Sequence, residues 1–183
     1  MDHYIDITLN PDSEMPLNWL VNAVYTKFHK ALCDHGSANV GVSFPKYKVT
    51  LGNVLRLHGS GSDLAALQQQ NWLGGMSGYC HVSKISPVPD GVKYRTVSRK
   101  QATMSQSKLN RLMKRGSISE GNASGYKVKM FSQGLDNPYL ELTSGSNGHS
   151  HRRYLQFGVL QDNCVVGTFD QFGLSKTATV PWF

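Results

Sequence analysis

The chain has 183 residues, 39% hydrophobic and 10% aromatic, which excludes a disordered polymer and suits one large domain or two small ones with a buried core. Its formal charge of +7 is uneven: residues 1–90 carry 6 Lys/Arg and 7 Asp/Glu, whereas residues 91–183 carry 13 and 5. No apolar run approaches the roughly 20 residues of a membrane span, and the opening MDHYIDITLN has neither the basic nor the apolar segment of a secretory signal, so no membrane association and a cytoplasmic location are expected. Residues 4–9 alternate, with Ile5, Ile7 and Leu9 on one side, as a half-buried strand does. Pro11, Asp12 and Ser13 end it. A helix is predicted over residues 16–35, because Leu17, Leu20, Val21, Val24, Tyr25, Phe28, Ala31 and Leu32 form a stripe of period 3.6. Pro16 suits its first turn and Gly36 its exit. Strands follow over residues 40–44 and 54–58. Ser60 or Ser62 caps a second helix over residues 63–70, and a fourth strand covers residues 79–85.

This β-α-β-β-α-β order predicts an α+β fold in which residues 1–90 form a ferredoxin-like domain. The third strand, in NVLRLHG, offers no aromatic ring for base stacking, which argues against ordinary RNA binding on the sheet face. The boundary is placed in the proline-containing stretch 86–90. Residues 91–183 are predicted as a basic, irregular α+β domain. Residues 94–97 are read as extended, and Ser105 or Ser107 caps a helix that ends at Gly116. Strands are expected over residues 127–131, 139–142, 154–157 and 164–168, with GSISEGNASG and TSGSNGHSH as loops.

Between residues 91 and 119 stand eight Lys/Arg and no Asp/Glu, a pattern that points to a polyanionic partner such as nucleic acid. In SKLNRLMKR, Lys108, Arg111 and Arg115 share one helical face with Lys114 beside it, opposite Leu109, Leu112 and Met113. Such a helix docks by its apolar seam and offers cations to phosphates. Arg99 and Gln101 are two apart, so in an extended segment they point the same way. Arg suits guanine and Gln suits adenine as bidentate readers.

Nucleophile motifs and P-loops are absent from the sequence, and its twelve acidic residues are too dispersed to hold catalytic magnesium. Cys33, Cys80 and Cys164 form no CxxC pair and no disulfide framework. Cleavage of nucleic acid would then be metal-free, with no cofactor, and directed at RNA, whose own 2′-OH can attack the adjacent phosphate. That chemistry needs a base, and neutral histidine is suited to it. His29 lies beside the apolar stripe of the first helix, four residues after Tyr25. His149 and His151 are assigned to a loop, where they could meet metal or phosphate.

Five segments in order carry a more specific signal: MDHYIDI, FHKAL around His29, NVGVSFP, VSRKQ, and FGLSK followed by VPWF. Together they resemble the CRISPR repeat-processing endoribonucleases of the type I-F system, over nearly the whole chain. The resemblance implies cleavage of the CRISPR precursor RNA at the base of a repeat hairpin, a 2′,3′-cyclic phosphate product, and retention on the guide RNA with other subunits of the interference complex. By the same resemblance His29 is the general base and Ser144 holds the attacking 2′-OH, with Ser146 and Ser150 as near alternatives. Arg99 and Gln101 read bases at the foot of the stem. Lys108, Arg111, Lys114 and Arg115 lie on the helix in the hairpin's major groove, and His151 caps the terminal base pair. Phe172 stands where the family pattern has a tyrosine, so no phenol hydroxyl is essential there, and Phe172 either packs or walls the site. A second reading is a hairpin-binding subunit with weak or lost cleavage.

Overall fold

The structure is a computed structural model and describes residues 1–101, 106–132, 137–143 and 148–183. The first elements are β1 (His3–Leu9), α1 (Leu17–His35), β2 (Gly41–Ser43), β3 (Val54–Gly59), α2 (Gly61–Gln69), β4 (Cys80–Val82) and β5 (Ser86–Pro87). They build an antiparallel sheet of order β2-β3-β1-β4, with β5 also paired to β1. The α1 stripe is buried from Leu20 to Leu32 as its period requires. Gly36 ends the helix in the left-handed conformation (φ +69°), and its N–H donates to Leu32 O. Ser60 caps α2 by accepting from Asp63 N at 3.0 Å.

Pairing of Ile5 with Leu57 and Ile7 with Leu55 sets one sheet face, which joins Leu20, Val24, Tyr25, Phe28, Leu64 and Leu67 in the core. Tyr4, Asp6, Arg56 and His58 occupy the opposite face. That face is covered too, by the chain's own closing segment. A Cβ on Gly41 would lie 2.8 Å from both Phe169 and Val180, so only glycine admits this contact. Arg56 makes two bonds to the Asp6 carboxylate (2.6 and 2.8 Å), donates to Phe183 O, and packs against both the Tyr4 and Phe183 rings, which meet edge to face.

The second half contributes β6 (Lys93–Arg95), β7 (Val97–Lys100), α3 (Gln106–Lys114), α4 (Glu120–Ser132), β8 (Tyr139–Thr143), β9 (Ser150–Phe157) and β10 (Val180–Trp182). β6 pairs with β10, and β7-β9-β8 form a three-stranded antiparallel sheet. The helix expected to end at Gly116 has its last helical residue at Lys114, and Gly116 (φ +71°) is its exit: Ser117 N donates to Leu112 O and Gly116 N to Met113 O. Ser107 falls inside α3 and not at its cap, and Ser105 lies outside the described residues.

Three expectations are corrected. Residues 127–131 are helical, not extended, and the expected loop GSISEGNASG runs into α4 from Glu120. YKVKM alternates like a strand, but packing against α3 selects Ala123, Tyr126 and Met130 as the inner positions and leaves Val128 exposed. Residues 164–168 form no strand. Val165 meets Thr179 through one backbone bond, and its N–H is taken by the Thr179 hydroxyl, so no ladder develops. His151 lies on β9 and not in a loop.

His58 is fully buried, with Nε2 2.8 Å from Ser43 Oγ. Burial pushes its imidazole down to about 3, and the Arg56 charge acts the same way. The unfolded chain therefore takes up a proton that the folded chain refuses, and stability present above the ordinary histidine range is lost as pH falls toward the folded value. Urea unfolding at pH 7 and pH 5 should show the native chain losing up to about 2 kcal/mol more than His58→Leu. Equal losses would refute the assignment.

Candidate active site

His29 sits at the edge of the α1 stripe, next to buried Phe28 and one turn after buried Tyr25. Its partner is a turn 142 residues away. In DQFG, the Asp170 carboxylate accepts from Phe172 N (2.8 Å) and Leu174 N (3.0 Å), and Gly173 N donates back to Asp170 O. Gly173 takes φ +69°, and its carbonyl accepts from Val42 N, which ties the turn to β2.

The turn presents three groups to α1. Gln171 O lies 2.7 Å from His29 Nδ1. Phe172 O accepts from the Tyr25 hydroxyl at 2.7 Å. The Phe172 ring lies flat on the imidazole, with centroids 3.7 Å apart and planes 9° apart. A carbonyl oxygen only accepts, so Nδ1 carries the proton and Nε2 of the neutral ring keeps a lone pair. Burial pushes the Tyr25 phenol up, which keeps it a hydrogen-bond donor.

Beside this pair is a cleft of about 400 Å³ lined by Thr26, His29, Lys30, Cys33, Leu142, Thr143, His151 and Phe172. Three residues singled out from the sequence, His29, His151 and Phe172, are therefore brought together. Ser144 and Ser146 lie outside the described residues; Thr143, which precedes them, lines the cleft. Ser150 faces Thr143 across β8 and β9.

The other candidates lie outside the lining of this cleft. Arg99 is exposed on β7, and Gln101 is exposed just past the end of that strand. Lys108, Arg111 and Lys114 are exposed on α3, while Leu109 is fully buried. Arg115 follows the last residue of α3 and continues its hydrogen bonding through Arg115 N to Arg111 O. The predicted division of this helix into an apolar seam and a basic face is thus present. Among the described residues, no group of three or more His, Cys, Asp or Glu side chains is placed to hold a metal ion, and no helix is long and apolar enough to cross a membrane.

Residues 4–183 match the family described as CRISPR-associated protein (Cas_Csy4). The chain belongs to this family. It is 38% identical over 184 residues to a protein of Escherichia coli (strain UTI89 / UPEC), and 39% identical over 187 residues to one of Pseudomonas aeruginosa (strain UCBPP-PA14). Both are named CRISPR-associated endonuclease Cas6/Csy4, and each match covers the whole of both chains. The family read from the five ordered segments is therefore the right one.

Sequence reasoning passed over Asp170, Arg153, Lys30 and Cys33. Asp170 carried a signal, since Asp-x-x-Gly marks a turn whose first side chain caps its own backbone. The Cys33 sulfur, 3.7 Å from His29 Nδ1, follows from i,i+4 spacing on α1. Arg153 carried none, because its setting depends on long-range strand pairing.

Proposed function

We propose that this protein is a metal-independent endoribonuclease that cleaves CRISPR precursor RNA at the base of the repeat hairpin. His29 Nε2 takes the proton of the 2′-OH. The 2′-oxygen attacks the adjacent phosphorus, the bond from phosphorus to the 5′-oxygen breaks, and the leaving oxygen takes up a proton. The products are a 2′,3′-cyclic phosphate and a 5′-hydroxyl. The observation that carries this reading is the Gln171 carbonyl on His29 Nδ1, which keeps the proton there and leaves the lone pair on Nε2 free to act as base. In this reading Ser144 holds the attacking 2′-OH, His151 stacks on the terminal base pair, and Phe172 walls the site.

The family membership and the basic second half support RNA as the substrate. The strand order β2-β3-β1-β4 supports reading residues 1–90 as a ferredoxin-like unit that carries the base, and the basic excess of residues 91–183 supports reading them as the unit that holds the hairpin. After cutting in the cytoplasm, the protein stays on the guide RNA with the other subunits of the type I-F interference complex.

The test is a labelled repeat hairpin with one 2′-deoxy substitution just 5′ of the cut. It should bind normally and resist cleavage, and a chelator should leave cleavage of the all-ribose hairpin unchanged. Cutting of the deoxy substrate would eliminate the cyclic-phosphate route.

The basic residues divide by role. Arg111→Ala on α3 should weaken cognate and mutated hairpins alike and lower the salt dependence by about one unit of slope. Gln101→Ala should cost about 1–3 kcal/mol on the cognate hairpin and little on one altered at the contacted base. Identical behaviour of the two variants would discard this division.

A further inference from the structure

We propose that Arg153 is a positioning residue for His29, acting through the ring of Phe172. The inference rests on the reading of His29 as the base and extends that site to a side chain behind the cleft.

Arg153 faces Leu140 across β8 and β9, and Leu155 lies two residues along on the same sheet face. Both leucines are fully buried, and Arg153 is itself only 7% exposed. A cation on an apolar sheet face is costly unless it is paired. Among the described residues Arg153 forms no ion pair, and its Nε has no hydrogen-bond partner. Burial lowers its guanidinium from the usual arginine range and the nearby Arg99 charge acts in the same direction, with Tyr25 and Asp170 opposing them only in part. An apolar side chain would fill the space without that penalty.

What the guanidinium does meet is Phe172, with its central carbon 3.6 Å from the ring centroid. An approach in the ring plane would be stopped farther out by the C–H rim, so the guanidinium lies over a face. The imidazole of His29 also lies over a face, 3.7 Å away and nearly parallel. Two groups cannot occupy the same face at those distances, so they lie on opposite sides. The result is a three-layer stack of guanidinium, phenyl and imidazole.

The stack does work that Phe172 cannot do alone. Its backbone is fixed by Tyr25 and Asp170, but its ring has no hydroxyl and cannot be held by a hydrogen bond. Contact on both faces is what sets the ring's tilt. The ring in turn sets the tilt of the imidazole about its bond to Gln171, and hence the direction of the Nε2 lone pair. A planar, delocalised cation suits the outer layer, whereas an ammonium offers charge without a plane.

The experiment uses the full chain as Arg153→Lys, which keeps charge without the plane, and Arg153→Leu, which keeps volume without charge. Single-turnover cleavage of the repeat hairpin should fall between about 10- and 100-fold in both, as for a misdirected catalytic group. Hairpin affinity and its salt slope should stay unchanged. In the RNA-free protein, the His29 ring C–H resonances should lose the upfield displacement caused by the stacked phenyl ring. Replacing a buried cation with an apolar residue is well tolerated, so the Leu variant carries the test if the Lys variant does not fold. Wild-type cleavage rates, or unmoved His29 resonances in Arg153→Leu, would overturn the proposal. So would a weakened affinity with a shallower salt slope, which would make Arg153 a phosphate contact. A native protein that binds the hairpin without cutting it counts against the proposed function, whereas the His29 resonances read the stack independently of it.

Discussion

His29→Ala should lower single-turnover cleavage of the repeat hairpin by about 10²–10⁴-fold, the range that a general base contributes. Affinity for the hairpin should barely change. A neutral imidazole neutralises no phosphate, and the cations of α3 and β7 remain in place. Asp170→Ala should reproduce part of the loss without touching the RNA, since it frees the turn that aims Gln171 O at Nδ1. Full activity in His29→Ala would remove the base assignment, and joint loss of binding and cutting would make His29 structural. A hairpin bound tightly by the native chain but left uncut would favour the reading as a binding subunit.

The largest stability effect is expected at Arg56. Its side chain is 10% exposed, and that of Asp6 is 26% exposed. The guanidinium holds Asp6 by two bonds, holds Phe183 O by a third, and packs against the Tyr4 and Phe183 rings. Arg56→Ala leaves a carboxylate and a carbonyl without donors in that setting and should cost about 3–5 kcal/mol in urea unfolding. The double variant Asp6→Leu with Arg56→Met removes both charges together and should recover much of the loss. If the double variant is no more stable than Arg56→Ala, the cost belongs to lost ring packing and not to an abandoned charge.

The first half was legible because its information is local. The apolar stripe of α1, the alternation of β1 and the cap at Ser60 each reflect contacts that the segment's own period dictates. Where tertiary packing chose between periods, local reading failed, as at residues 127–131. Residues 164–168 failed for a different reason. Their apolar content is strand-like, but a threonine side chain takes the place of a ladder bond. The site was legible only in part. His29 is one of seven histidines, and spacing alone does not select it; the order of matched segments does. Phe172 was seen as a departure from a family pattern, but the flat contact with His29 required the DQFG turn to be placed against α1. Arg153 reads in sequence as one more basic residue in a basic half. Only the register of β8 with β9 turns it toward the buried face.

The long separation between His29 and Gln171 bears on how the protein comes into being. A ribosome releases His29 early, within a segment whose apolar stripe is complete by residue 32. The carbonyl that fixes which ring nitrogen holds the proton is made 142 residues later, together with the phenyl ring that fixes the tilt. A chain that stops between residues 116 and 170 contains the histidine and the cations of α3 but lacks the groups that set its proton and its angle. On the proposed reading, synthesis completes the cationic helix before the groups that set the base, and a copy broken between the two carries cations for phosphate without a base set for cleavage.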